Sequence, residues 1–229
     1  MKSKKNKKTF FFGIINKKER WGLSWKGYFF VFLTTACFFI FVLKNAYNFL
    51  APTERVKSKV LVVEGFVGDE ILKKVVAEFQ TQKYDHIYVP GGPLELGSFF
   101  SKYKNLAELS KASLIAMGIN EKNITAIPVQ EIKRDRTYAS ALALKEYIEN
   151  NKIKITSFNL FSAGAHSKRS HLLYNLAFQN KLKIGIISET SSQHYERWWT
   201  SSYSFRAVTG ELIAYAYSLF FKYFLVGSL

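Results

Sequence analysis

Apolar residues follow two patterns along this chain. One uninterrupted run, Gly27 to Leu43, carries no charged side chain. Beyond residue 58, short apolar runs alternate with stretches whose apolar residues recur at helical spacing. Val60-Leu61-Val62-Val63 is continuous, as expected of a strand buried on both faces. Gly65-Phe66-Val67-Gly68 makes a turn, and Asp69 is the expected N-cap of a helix with Leu72, Val75, Val76 and Phe79 on one face. His86 to Pro90 gives a second strand, closed by Gly91-Gly92-Pro93. A helix over Leu106 to Met117 stops at Gly118. Ile124 to Val129 is a third strand, and Asp135 is placed to cap a helix carrying Tyr138, Ala141, Leu144 and Ile148. Thr156 to Phe161 is the fourth strand. It feeds Ser162-Ala163-Gly164-Ala165-His166-Ser167-Lys168-Arg169 and a helix over His166 to Asn180. Leu182 to Ile187 is the fifth strand.

Strands alternating with helices at these lengths predict an α/β fold, a Rossmann-like three-layer domain with a five-stranded parallel sheet and right-handed crossovers. The first and fourth strands should neighbour each other at the switch point, where open α/β sheets bind ligands. A last apolar helix runs from Phe205 to Phe224. Lys222 interrupts it, and Arg206 and Glu211 lie near its start. It is expected to pack on the domain, touching the bilayer surface at most.

The uncharged run changes the picture from a soluble domain to an anchored one. Seventeen helical residues rise about 26 Å against a hydrocarbon core of about 30 Å. Trp25 and Tyr47 are placed to extend the span into both interfaces. The resulting organisation is a basic tail over 1–26, a transmembrane anchor over 27–44, a linker over 45–58 and the domain over 59–229. Formal net charge is +16. Nine Lys and Arg lie before residue 27 against one acid, Glu19, so about half of the excess sits beside the apolar run. That asymmetry predicts a single-pass protein of the bacterial inner membrane with a cytoplasmic N-terminus and an exported domain. Lys44 to Ala51 offers no small-residue cleavage site, so the helix should persist as an anchor. The bilayer is the expected partner. Nucleic acid is not, since the densest basic run abuts the membrane and no recognition motif accompanies it. The one cysteine, Cys37, falls inside the apolar run, which leaves no intramolecular disulfide and no cysteine metal site.

Candidate chemistry gathers after the fourth strand. Gly164 permits a turn and close approach of a ligand. The helix start beyond it offers unpaired N–H groups and a partial positive charge. His166 and Arg169, three apart, lie on neighbouring parts of one helix face. Arginine offers a fork to phosphate or carboxylate, and histidine an acid or base. The competing assignment has His166 capping the helix and Arg169 paired with an acid such as Glu211. In the first turn, Gly65 and Gly68 fit a phosphate-binding turn. Asp69 and Glu70 serve either as general bases partnering His166 or as ordinary helix-start carboxylates. Gly91 and Gly92 are a turn and a ligand contact. Arg134, Arg136 and Thr137 open the helix after the third strand, as anion donors or as a solvated charge run. Trp198-Trp199 is either a sugar-stacking platform or a pair split between core and rim. There is no dinucleotide fingerprint, P-loop, Gly-x-Ser-x-Gly elbow or zinc spacing, and no cofactor is named by the sequence.

In order and spacing, Gly68-Asp69-Glu70, Pro90-Gly91-Gly92, Arg136-Thr137-Tyr138-Ala139, Ser162 with His166 and Arg169, Trp198-Trp199 and Glu211 to Tyr215 resemble the YdcF-like, SanA/ElyC-like family of bacterial domains. The resemblance covers about Lys59 to Phe220. Lys73 and Pro90 depart from it, standing where many members have Arg and Ser. It implies a Rossmann-like sheet and, in SanA/ElyC-like members, an N-terminal anchor with an envelope role linked to the permeability barrier and to peptidoglycan or lipid-carrier metabolism. One YdcF-like member is associated with S-adenosylmethionine. The expected ligand is therefore an anionic, phosphorylated glycan or lipid carrier, bound through Gly65, Gly68, Gly91, Gly92, Thr137, Ser162, Gly164 and Arg169. His166, Asp69 and Glu70 would act catalytically. A non-catalytic envelope scaffold and an S-adenosylmethionine-binding protein are the alternatives.

Overall fold

A computed structural model describes residues 9–10, 15–16, 22–130, 135–191 and 193–226. Most of the expected basic tail, and Arg134, lie outside the described residues. The chain divides into two compact units, Met1–Val42 and Leu43–Leu229.

In the first unit, β1 (Thr9–Phe10) pairs antiparallel with β2 (Ile15–Asn16). The helix α1 (Trp25–Leu50) then begins, and its last two turns belong to the second unit. None of its most apolar 18-residue window is buried. A helix of 26 residues is about 39 Å long, enough to cross a bilayer. It is the one helix among the described residues that is long and apolar enough to do so.

The second unit is an α/β domain with a five-stranded parallel sheet. In chain order its elements are β3 (Val60–Val63), α2 (Asp69–Gln82), β4 (His86–Gly91), α3 (Leu106–Ala116), β5 (Ile124–Pro128), α4 (Arg136–Asn150), β6 (Ser157–Ala163), α5 (Ser167–Ala177), β7 (Lys183–Glu189) and α6 (Ser202–Val226). The strand order is β5-β4-β3-β6-β7. Thus β3 and β6, the first and fourth strands of the sheet, are neighbours, with Val63 opposite Phe161. The order reverses between them, so the loops at their C-terminal ends diverge and leave a crevice.

Successive strand residues point to opposite faces, so the buried runs serve two cores. On one face Leu61, Val63 and Phe161 pack with Leu72, Val75 and Phe79 of α2 and Leu114 of α3. On the other, Val62, Phe158 and Leu160 pack with Ala141, Leu144 and Ile148 of α4 and Tyr174 and Ala177 of α5. Each fully buried Val, Leu or Phe contributes about 1.5–3 kcal/mol, which makes these three layers self-sufficient.

Several boundaries differ from those read in the sequence. The segment 45–58, expected to be a linker, is built into the domain. Ala46 and Leu50 are buried, and Glu54 exchanges backbone hydrogen bonds of 2.7 and 2.9 Å with Ile186, covering the edge strand β7. Val56 is held from both sides by Asn159, its N–H donating to Oδ1 (2.8 Å) and its carbonyl accepting from Nδ2 (2.9 Å). This stitching depends on Gly185. A Cβ there would stand 2.0 Å from Asn159 Oδ1 and 2.8 Å from the Val56 nitrogen. Gly185→Ala is expected to cost about 1–3 kcal/mol through overpacking, read as a lower melting temperature of the full chain; an unchanged melt would show that 54–56 is not fixed there.

The N-cap of α2 is Gly68, and Asp69 is the first helical residue without a side-chain cap bond. Asp135 occupies the N-cap of α4 in a left-handed conformation (φ 50°), likewise without a side-chain cap bond. The segment after β6 is a 3₁₀ turn, Gly164–His166, before α5 starts at Ser167. The last helix starts at Ser202, before Phe205, and the side chain of Lys222 lies outside the described residues.

Candidate functional site

A cleft of about 950 Å³ opens at the C-terminal ends of the strands, beside the β3–β6 switch. Gly65, Gly91, Gly92, Thr137, His166 and Arg169, all expected at a site, line it, together with Glu64 and Glu211. Gly91 lets α3 close one wall, since a Cβ there would meet the Ala107 nitrogen at 2.5 Å.

His166 is the hub. Its Nδ1 lies 2.8 Å from Glu211 Oε1 on α6. Its Nε2 lies 3.3 Å from the Thr137 hydroxyl on α4 and 3.8 Å from Glu64 Oε1. The edge of Phe66 completes its surroundings, with ring centroids 5.0 Å apart. Arg169, one turn along α5, donates through Nε (2.8 Å) and Nη2 (3.0 Å) to the two oxygens of Glu211. This bidentate pair fixes the carboxylate, and the carboxylate fixes the imidazole.

The ionised Glu211 carboxylate favours one tautomer. Arg169 Nη2 also lies 2.9 Å from Nδ1. If Nδ1 accepted from arginine, its lone pair would face the Glu211 oxygen at 2.8 Å, two acceptors in contact. With the proton on Nδ1, both donors share Glu211 Oε1, and Nε2 keeps its lone pair on the Thr137 and Glu64 side. Burial alone would push the Glu211 carboxyl up. The hydrogen bonds and charges of His166 and Arg169 outweigh burial and bring it down to about 2.

Glu64 behaves oppositely. It follows β3 directly and is 2% exposed. The Ser162 hydroxyl donates to Oε2, and Ser170 donates to both oxygens at 2.9 and 3.0 Å. Desolvation pushes its carboxyl up, against the lowering by His166, the two serines and Arg169. Burial, with the Glu64 charge adding to it, also drives the Tyr174 phenol well above its ordinary value. The oriented imidazole therefore presents a base position at Nε2 on a cleft-lining residue and, beside it, a buried carboxylate biased toward holding a proton.

Not all expected residues belong to the cleft. Asp69 and Glu70 are exposed in the first turn of α2, and Glu70 pairs with Lys73 at 2.7 Å. Carboxylates at that place complement the helix dipole, and neither lines a cavity described here. The carboxylate partner of His166 from the first turn is Glu64 instead. Gly68 caps α2 and lies outside the cleft. Ser162 sits buried behind the site, acting through Glu64. Gly164, at φ 46°, lines a smaller cavity of about 350 Å³ on the other side of His166 and Glu211. Arg169 pairs with Glu211, the alternative raised for it, so much of its charge is already used. Trp198 is buried and Trp199 is 37% exposed, a split between core and rim.

Glu64 and Ser170 went unassigned in the sequence. A lone acid immediately after a four-residue buried strand was the available signal for Glu64. Nothing in the spacing marked Ser170, which is simply one turn before Tyr174 on the inward face of α5. Comparison with protein-family models, with curated proteins and with solved structures finds no match.

Proposed function

We propose that this is a membrane-anchored cell-envelope protein of the YdcF-like, SanA/ElyC-like kind, a hydrolase or transferase acting on a phosphorylated glycan or lipid-carrier precursor. The observation that carries the reading is the Arg169–Glu211–His166 relay with Glu64 at 3.8 Å from Nε2. Glu64, Thr137, His166, Arg169 and Glu211 converge on one open cleft, which favours chemistry over a scaffold. Nε2 takes the proton from an attacking water or hydroxyl. Glu211 stabilises the imidazolium, and the proton returns to the leaving oxygen. The basic flank before α1 supports an exported domain.

Among the described residues, Glu64, Glu95, Asp135 and Glu211 line the cleft against Arg136 and Arg169, so binding rests on directed donors, and of these two arginines Arg136 is the available one. Its ion pair with Glu95 is largely exposed on both sides, 70% and 72%, so the pair is weak and exchangeable. A phosphate displacing Glu95 would gain a bidentate fork beside Thr137. Glu95→Gln is expected to tighten binding of polyprenyl phosphates and phospho-sugars by about two- to fivefold, and Arg136→Ala to weaken it by about tenfold or more, measured by thermal shift and calorimetry on the full chain. If both variants bind such ligands like the wild type, Arg136 is not the anion donor and the phosphorylated-ligand reading fails.

A further inference from the structure

The helix α1 is continuous from Trp25 to Leu50, and its uncharged run ends at Leu43. Leu43 is also the first residue of the domain unit. If the run spans a bilayer, chain continuity puts Leu43 at the edge of the hydrocarbon. Whatever binds Leu43 then lies at the headgroup layer.

Trp198 does. Its indole N–H donates to the Leu43 carbonyl at 2.8 Å. Trp198 stacks on Phe205 (centroids 5.8 Å) and meets Trp199 edge-on (6.0 Å). Further along, Phe49 meets Tyr215 at 5.7 Å. The start of α6 is therefore level with Leu43, and Tyr215 is level with Phe49. Ten residues of helix separate Phe205 from Tyr215, about 15 Å. The beginning of α6 and the turn before it adjoin Leu43, and Ile213 and Phe220 lie further along the helix.

The composition of that beginning fits the place. Tyr203 and Phe205 are 68% and 46% exposed. Arg197, Arg206 and Lys44 are exposed too. Neither arginine has a carboxylate partner among the described residues; the Nε of Arg206 donates to the Ser202 carbonyl at 3.3 Å. Exposed aromatics interleaved with cations that have no carboxylate partner among the described residues suit the layer between acyl chains and anionic headgroups. In bulk water the same aromatics would be an apolar patch without purpose.

We infer that the segment Arg197 to Arg206, hung on Leu43 through Trp198, docks on the bilayer surface, with Trp199, Tyr203 and Phe205 in the interface and Arg197 and Arg206 on anionic headgroups. Tyr203 and Arg206 also line the smaller cavity. This rests on α1 spanning the membrane.

The test uses the full chain in phosphatidylglycerol–phosphatidylcholine vesicles. Cys37, the only cysteine, is changed to alanine, and Ser202→Cys carries a nitroxide. A control label replaces Lys122, exposed just before β5 at the opposite sheet edge from β7. The Ser202 label should be more accessible to dissolved oxygen than to an aqueous nickel chelate, and the Lys122 label the reverse. Arg197→Glu with Arg206→Glu should shift the Ser202 label toward the aqueous reagent. A Ser202 label as water-exposed as the control, in a chain that resists alkaline carbonate extraction, overturns the docking alone. A chain released by carbonate overturns the membrane span itself. A Ser202 label unmoved by the charge reversal overturns the role of the arginines.

Discussion

His166→Gln is expected to reduce turnover of a phosphorylated envelope precursor by about 10²–10⁴-fold, the usual contribution of a positioned acid–base group. Binding should change far less, because glutamine retains polar contact with Thr137 while losing the proton-accepting nitrogen. Glu211→Gln should fall between wild type and that variant. Its amide oxygen can still accept from Nδ1–H, but it no longer stabilises the imidazolium or grips Arg169 with two charged bonds. Glu64→Gln should lower kcat with little change in KM, since its oxygens are taken up by Ser162 and Ser170. Steady-state kinetics of the three variants, at a temperature where each is shown to be folded, tests the assignment. Equal kcat in wild type and His166→Gln would remove His166 from the chemistry.

The stability of the domain should pass through a maximum in mildly acidic solution, with each side set by a different carboxylate. Glu211 has its pKa lowered from 4.5 to about 2. A carboxyl depressed in the folded state binds its proton more readily when unfolded, so its stabilisation is complete above about pH 4.5 and is lost as pH falls toward 2. The loss is on the order of 2–3 kcal/mol. Glu64 is shifted the other way by burial. Its protonated form is favoured by folding, so its contribution is present below pH 4.5 and is lost as pH rises through its folded pKa. Denaturant unfolding of the full chain between pH 3 and 8 should therefore show both limbs. Glu211→Gln should flatten the acid limb, at a lower overall stability, because Arg169 and His166 lose their charged partner. Glu64→Gln should flatten the limb that falls as pH rises. An acid limb that survives Glu211→Gln would mean that other carboxylates govern it.

Much of this architecture was legible before folding. Continuous apolar runs such as Val60–Val63, four residues long and bounded by turn residues, fit strands covered on both faces. Their alternation with helical patterns dictated a parallel sheet with the first and fourth strands side by side. The His166–Arg169 spacing likewise placed both on one end of α5. The carboxylate assignment was not legible. Asp69 and Glu70 stood out because two acids follow a glycine, but a helix start is where acids gather for reasons of dipole alone. Glu64 adjoins the strand, and a side chain there is either buried or at the cleft according to the tertiary packing of β6 and α5. Glu211, 42 residues from Arg169, was named as its pairing acid, and the structure forms that pair; its bond to His166 Nδ1 was not legible, because it depends on the return of α6 across the sheet end. Segment 45–58 looked like a linker because its anchoring uses backbone bonds to Ile186 and the Asn159 side chain, which leave no periodic pattern.

The oriented imidazole can be observed directly. In full-length protein carrying ¹⁵N-labelled histidine, with the His166 signals assigned by their loss in His166→Gln, ring nitrogen shifts at pH values where the ring is neutral should show Nδ1 protonated and Nε2 bare. Glu211→Gln should erode that preference. A His166 ring bearing its proton on Nε2, with Nδ1 bare, would contradict the relay from Arg169 through Glu211 and with it the acid–base site.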